Sequence, residues 1–522
     1  MSRDRLPWMI VVVLLAEAVA TGRAFAFDME KAEALQARVD AIGQYLDTGS
    51  PNGAEGAIAL AASLLPETTA IRRDPPQRAA LPDLPSGPAA DASLMPVQPT
   101  LSDIALQTGY DAGAALAAVT KRNGGMAIML NGGTYSLPAL LTQLSLASGT
   151  AIVENPAGHF HVMLPIVIAA DAALVINPGE TLDMSTKNGA FLINTGTLVV
   201  NQATVTASDD QNAEAEFRPF ILSVKGGRVF ATDSRFAGLG FGERPSLRGV
   251  SFVSNRFYPV PTEAHLSGNR FDDLISLELR GLTRFDISGN LIEHARGVGL
   301  FAINLSGGTI AGNVIDRSQS HGLRLIESAD IRLNHNLLTR NGHSGLLAGD
   351  DFMLSTLESN VFLSNDGAGL AMDGGACVDI TGNASVANRT DGAALTKSFD
   401  VAITDNRLSG NGGNGLTIAN SLPSEQPTEI ARNQISANGA GIRADRFGTL
   451  RLVGNDFTGQ SPILFSGALS AEMPRFLAAQ KSTGPFAVSS SDKGSISPAG
   501  AQPFDGFSLV KLSQCRQQGA GQ

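Results

Sequence analysis

Aromatic side chains are scarce in this chain. Its 522 residues hold one tryptophan and four tyrosines against 57 glycines. Many glycines with few aromatics suit an elongated solenoid of short turns. Cysteine is scarcer still. Cys377 and Cys515 are the only two, and no CxxC or His/Cys cluster accompanies them, so neither a metal site nor a cofactor is implied. An oxidising compartment would permit a disulfide that staples the tail to the coils, and two unpaired thiols are the other reading. Positive charge is in deficit, with 38 Lys and Arg against 49 Asp and Glu and a formal net charge of −11. That balance excludes a general nucleic-acid binder and leaves any attraction for a polyanionic sugar to a local site. Beyond the N-terminus no apolar run is long enough to cross a membrane.

The N-terminus itself is apolar. Arg3 and Arg5 precede PWMIVVVLLAEAVA, and Ala24-Phe25-Ala26 follows as a small-x-small site. The pattern predicts a secretory signal peptide cleaved after Ala26, with an uncleaved anchor as the competing reading. The run is short for a membrane span and Glu17 interrupts it. The expected compartment is a Gram-negative periplasm.

What is abundant is repetition. Asn recurs at 269, 290, 313, 336, 360, 383, 406, 433 and 455, at intervals near 23. A small-apolar step keeps phase with it, from Gly299-Leu300 through Gly322-Leu323 to Gly441-Ile442. A second Asn column at 341, 365, 388, 411 and 438 sits five residues after the first. Short alternating runs such as LRLIE and GLTIA read as strands. Stacked coils place like residues above like, with aliphatic side chains inside and Asn at sharp corners, where its side chain can form ladders. The fold class is all-β, a right-handed parallel β-helix with coils of about 23 residues and a small N-terminal helical region. The predicted organisation is signal peptide 1–26, helical segment 27–73, Pro-rich extended linker 74–100, N-terminal capping region 101–146, β-helix 147–480 and tail 481–522. Within the capping region, DAGAALAAVTKR is expected to cover the open end of the stack.

One block is more specific than the repeat. Residues 190–241 run from a strand through NTGTLVV and a polar loop to Phe217-Arg218-Pro219-Phe220 and a Gly-Gly turn. LRLVGNDFTGQSPILFSGALSAEMPRFLAAQ closes the coils at 450–480. These stretches resemble the periplasmic mannuronan C5-epimerases of alginate biosynthesis, over roughly 160–480 of the chain. The resemblance implies a β-helix that takes a polysaccharide. Those enzymes invert C5 of a uronate within a polymer, which demands a mask for the carboxylate, a base on one face and an acid on the other. The family supplies part of this with an Asp-Pro-His-Asp motif followed by Ser-His-Gly. In this chain the register of the Gly-Leu step puts that motif on Phe301, Ala302, Ile303 and Asn304, and the second His on Gly307. Both acids and both histidines are absent.

The remaining candidates lie nearby. His321 immediately precedes a Gly-Leu step and His343 lies two residues before the next, so the pair is expected on one face about one coil apart, roughly 5 Å. These two are the candidate relocated acid–base residues. His294, Arg296 and Arg324 are candidates for lining a groove around a carboxylated sugar, and the resemblance adds Arg218. Tyr258 is a further candidate phenol. Asp350, Asp351 and Asp373 are the nearest approach to a hydrolase carboxylate set, but adjacent residues on an extended strand diverge. The expected partner is a uronate-containing or other exopolysaccharide, within an exopolysaccharide synthesis or export complex. Two functions stay open: a polysaccharide-binding protein without catalysis, and an active C5-epimerase or lyase. A third reading rests on the copper-maturation β-helix proteins, which share this period, although no Met/His/Cys constellation is present.

Overall fold

A computed structural model describes residues 24–49, 53–64, 83–85, 92–108, 112–147, 151–207, 217–242, 247–255, 260–421, 427–479, 485–490 and 496–499. Most of the expected signal peptide, Tyr258 and Cys515 lie outside the described residues. Cys377 is disulfide-bonded.

Among the described residues the coils build three sheets of 15, 15 and 13 strands, parallel along the stack and with antiparallel strands at their ends. Leu300–Ile303, Thr309–Ala311 and Val314–Asp316 are one such coil, and its first strand pairs in register with Leu323–Ile326 of the next. The register stacks Leu277, Leu300, Leu323, Leu346 and Leu370 in one fully interior column. Burying each such leucine contributes about 1.5–3 kcal/mol.

The asparagines hold the corners. Between the second and third sheets, Asn290 Nδ2 donates to Asn313 Oδ1 at 3.0 Å and to the Leu266 carbonyl at 2.9 Å. The backbone N–H of Asn290 donates to that same Asn313 oxygen at 2.9 Å. Asn313, Asn336 and Asn360 repeat the pattern. The second column does the same between the third and first sheets, as when Asn341 Nδ2 donates to Asn365 Oδ1 at 2.9 Å. A sharp corner leaves backbone groups without sheet partners, and the amide side chain satisfies them.

The ends depart from the expected plan. Ser93–Pro96 lies inside the range expected to be linker, yet it pairs antiparallel with Met126–Leu130 at the edge of the first sheet. An edge strand tolerates proline because one side of its backbone needs no partner. Coil strands therefore begin before residue 147. The helix Leu137–Ala147 plugs the end of the barrel through Leu137, Leu140 and Leu144. Helix α3 (Gln98–Thr108) and helix α4 (Ala112–Asn123), expected at the open end, instead lie on the outer face of the first sheet. There Val97, Leu101, Ile104 and Val119 cover Val167, Ile193, Leu222 and Val253.

Helix α1 (Ala24–Asp47) and helix α2 (Gly53–Leu64) form a pair on the outer face of the third sheet. Val39, Ile42, Leu46 and Ala57 pack on Leu291, Val314, Leu337 and Val361, successive outward residues of that sheet. Asp47 clasps the pair in place, with an oxygen 2.8 Å from Arg340 and 2.6 Å from Arg317. Arg340 also forks onto the buried Asp316 at 2.8 and 2.6 Å. Asp47→Ala is expected to weaken docking by about 1 kcal/mol, since the ion pairs are partly exposed while the apolar contacts persist. Faster amide exchange confined to residues 33–64 would report it; unchanged exchange would show that the clasp contributes nothing.

Candidate functional site

The outer face of the first sheet reads, coil by coil, Ile193, Leu222, Ser251, Glu278, Phe301, Arg324 and Leu347. Helices α3 and α4 cover the first two positions. Beyond them Ser251, Glu278 and Phe301 remain buried, and the face opens from Arg324 onward, where Arg324 and Leu347 are half-buried. Glu278 is fully buried there and is paired with Arg280 at 2.8 Å. One coil on stands Phe301. The guanidinium carbon of Arg248 lies 4.7 Å from its ring centroid, and that of Arg324 lies 5.7 Å away. Arg248 and Arg324 each bury an Nε that has no hydrogen-bond acceptor. Among the described residues neither guanidinium pairs with a carboxylate. Two cations without a carboxylate partner among the described residues thus meet at one aromatic ring, a cradle for an anionic group.

His321 and His343 adjoin Arg324. Their ring centroids are 5.1 Å apart. The Ser344 backbone N–H donates to His321 Nδ1 at 3.2 Å, which makes that nitrogen an acceptor and puts the proton of the neutral ring on Nε2. Burial, followed by the charges of His343 and Arg324, lowers the His321 pKa to about 4. His321 is therefore neutral at pH 7.

This shift has a stability consequence. Between pH 6.5 and about 4 the unfolded chain binds a proton at His321 that the folded chain does not. The contribution is fully present above that window and declines as pH falls through it. His321→Gln should flatten the dependence of the urea midpoint on pH across the window. A His321 ring resonance titrating near 6.5 would contradict the assignment.

The other sequence candidates lie apart from this cluster. Arg218 and Arg296 share Asp273, at 2.8 and 3.0 Å, on the turns that enter the first sheet, and Arg296 also donates to the Leu239 carbonyl. His294 sits at the end of the third sheet, 3.2 Å from Asp272. The six candidates thus fall into three groups, with His321, His343 and Arg324 together. Arg248 and Phe301 were missed as site residues. Phe301 could have been found from the 23-residue outward column, whereas nothing in the sequence signals that Arg248 reaches its ring.

Three comparisons bear on what this face can do. The family described as periplasmic copper-binding protein (NosD) matches residues 257–371 and 283–468, within the coils. The mannuronan C5-epimerase of Pseudomonas aeruginosa is 33% identical over 123 residues, 22% of this chain and 22% of that protein. Mannuronan C5-epimerase AlgG of Azotobacter vinelandii is 30% identical over 142 residues, 25% of this chain and 26% of that one. The matched stretch thus spans about a quarter of these relatives. The crystal structure of the periplasmic alginate epimerase AlgG superposes with a TM-score of 0.64 at 17% identity, covering 73% of this chain and 99% of that one.

The described residues offer no group of histidines and cysteines that could share a copper ion. Among the described residues one group of His, Cys, Asp and Glu could share an ion, namely Asp272, Glu293 and His294. It offers two hard carboxylates and a single imidazole, without the soft sulfur ligands that select copper(I). Both carboxylates are already engaged, Asp272 by Arg235 and Glu293 by Arg270. What the comparisons establish is a chain similar to the mannuronan C5-epimerases over about a quarter of its length, with the parallel β-helix fold that the periplasmic alginate epimerase AlgG also has.

Proposed function

We propose that this chain is a periplasmic exopolysaccharide-handling protein of epimerase type. It binds a polysaccharide along the open face of the first sheet during synthesis, modification or export, as a component of the machinery that moves the chain across the periplasm. The expected signal peptide supports the compartment. In the described part no helix is long and apolar enough to cross a membrane. The observation that carries the reading is the pair of arginines around Phe301, on the coil that the Gly-Leu register of the sequence matches to the acid–base motif of the epimerases. A uronate carboxylate would accept from the terminal guanidinium N–H groups of Arg324 and Arg248, and the sugar ring would lie against the adjacent apolar cluster of Val298, Ile303 and Ile326.

Binding without catalysis is the favoured form. Inversion at C5 needs a base and an acid on opposite faces of the sugar. A pyranose between two imidazoles needs their centroids about 7 Å apart, at about 3.5 Å per contact. His321 and His343, at 5.1 Å, leave no such space and stand on one side. The second reading, an active epimerase or lyase, is favoured by one observation, that His321 is neutral at pH 7 and beside a carboxylate-masking arginine. Incubation with polymannuronate in deuterated buffer separates the two. The binding reading predicts retention of the polymer with no deuterium at C5. Deuterium at C5 that disappears in His321→Ala would establish the enzyme, and an unsaturated uronate product would establish the lyase.

A further inference from the structure

Beyond Arg324 the outward column continues through Leu347, Ala371, Ala394 and Thr417. Three of these four are apolar, and two are alanines. They form a shallow floor about four coils long, roughly 19 Å at one strand spacing per coil. The rim changes sign along it. Asp350 and Asp351 lie on the turn leaving this sheet, Asp373 ends one of its strands, and Asp366 and Asp391 lie on the turns entering it. Lys397 is spent on Asp373 at 3.3 Å, and Arg443, in the next coil, on Asp445 at 2.8 Å. Arg389 and, in the coil of Arg443, Arg446 are exposed and are the other cations on this stretch among the described residues. The face therefore has one cationic locus, at Phe301, followed by an apolar floor between predominantly acidic rims.

From this distribution, and resting on the polysaccharide-binding reading above, we infer that the chain's ligand is sparsely carboxylated: a uronate at the arginine locus, followed by uncharged sugars along the floor. A polymer with a carboxylate on every sugar would place several of them between the acidic rims. Like charges at such range repel, and little is available there to neutralise them.

The test compares three probes of matched length by titration calorimetry on the full chain: hyaluronan oligosaccharides, with a carboxylate on every second sugar, oligomannuronate, with one on each, and uncharged cello-oligosaccharides. Hyaluronan should bind at least tenfold more tightly than either of the others at low salt. The gap to oligomannuronate should narrow as salt rises and the Debye length falls from about 30 Å at 0.01 M to about 8 Å at 0.15 M. The combined variant Asp350→Asn, Asp351→Asn, Asp373→Asn should raise oligomannuronate affinity several-fold and leave hyaluronan unchanged. Asn suits the left-handed backbone of positions 350 and 351, so the turn is preserved. Oligomannuronate binding as tightly as hyaluronan would overturn the inference and leave the polysaccharide reading standing, as would equal binding of the uncharged probe. Binding of none of the three would overturn both.

Discussion

Asn360→Ala is expected to destabilise the coils by about 3–5 kcal/mol. The Asn360 side chain is fully buried. It accepts from the Asn336 backbone N–H at 3.0 Å and from Asn336 Nδ2 at 2.9 Å. It donates to the Leu333 carbonyl at 2.8 Å and to Asn383 Oδ1 at 3.0 Å. Alanine removes all four bonds and leaves buried donors and acceptors stranded where water does not reach, at about 1–3 kcal/mol for each unsatisfied group. A break in mid-stack also separates the coils on either side, because each coil contacts only its neighbours. Thr356→Ala, at an exposed strand position nearby, is the control and should stay within about 0.5 kcal/mol. Urea denaturation checks both. A loss below about 1 kcal/mol for Asn360→Ala would mean that the ladder fixes geometry without stabilising it.

The second large effect is on binding. Arg324→Ala should weaken affinity for a uronate-containing oligosaccharide by about 10- to 100-fold, because a hydrogen bond to a charged group contributes about 1.5–3 kcal/mol. Arg324→Lys should recover part of that loss, since the charge returns without the planar fork. Arg432→Ala is the negative control. Arg432 forks onto Asp405 at a corner between the second and third sheets, away from the open face. Equal losses in Arg324→Ala and Arg432→Ala would reduce the effect to general charge and remove Arg324 from the site.

The coils were legible from the sequence because the solenoid repeats its physics. An interior leucine or a corner asparagine recurs each time the chain returns to the same place, so period and register could be read from residue spacing. The proximity of His321 and His343 follows from that same register. The N-terminal helices were legible only as helices. The spacing of Val39, Ile42 and Leu46 shows an apolar face, but its partner is the outward column Leu291, Val314, Leu337 and Val361, about 250 residues or more away in sequence. The signal for that partner was present in short strands such as VFL, whose outward positions Val361 and Leu363 are both apolar. The placement of α3 and α4 on the side of the first sheet, and of Leu137–Ala147 at the barrel's end, depended on packing that local pattern does not encode. The site was legible in part for a similar reason. Phe301 lies in a periodic column, whereas Arg248 reaches it from two coils away by side-chain conformation alone.

The central claim is that the open face of the first sheet, and no other surface, holds the polysaccharide. A hydrogen-exchange footprint with saturating hyaluronan oligosaccharide tests it most directly. Slower exchange is expected in residues 247–253, 298–304, 320–326 and 343–349, with the third sheet and helices α1 and α2 unchanged. Protection centred on the third sheet, on the Arg218–Asp273–Arg296 turn, or nowhere would contradict it.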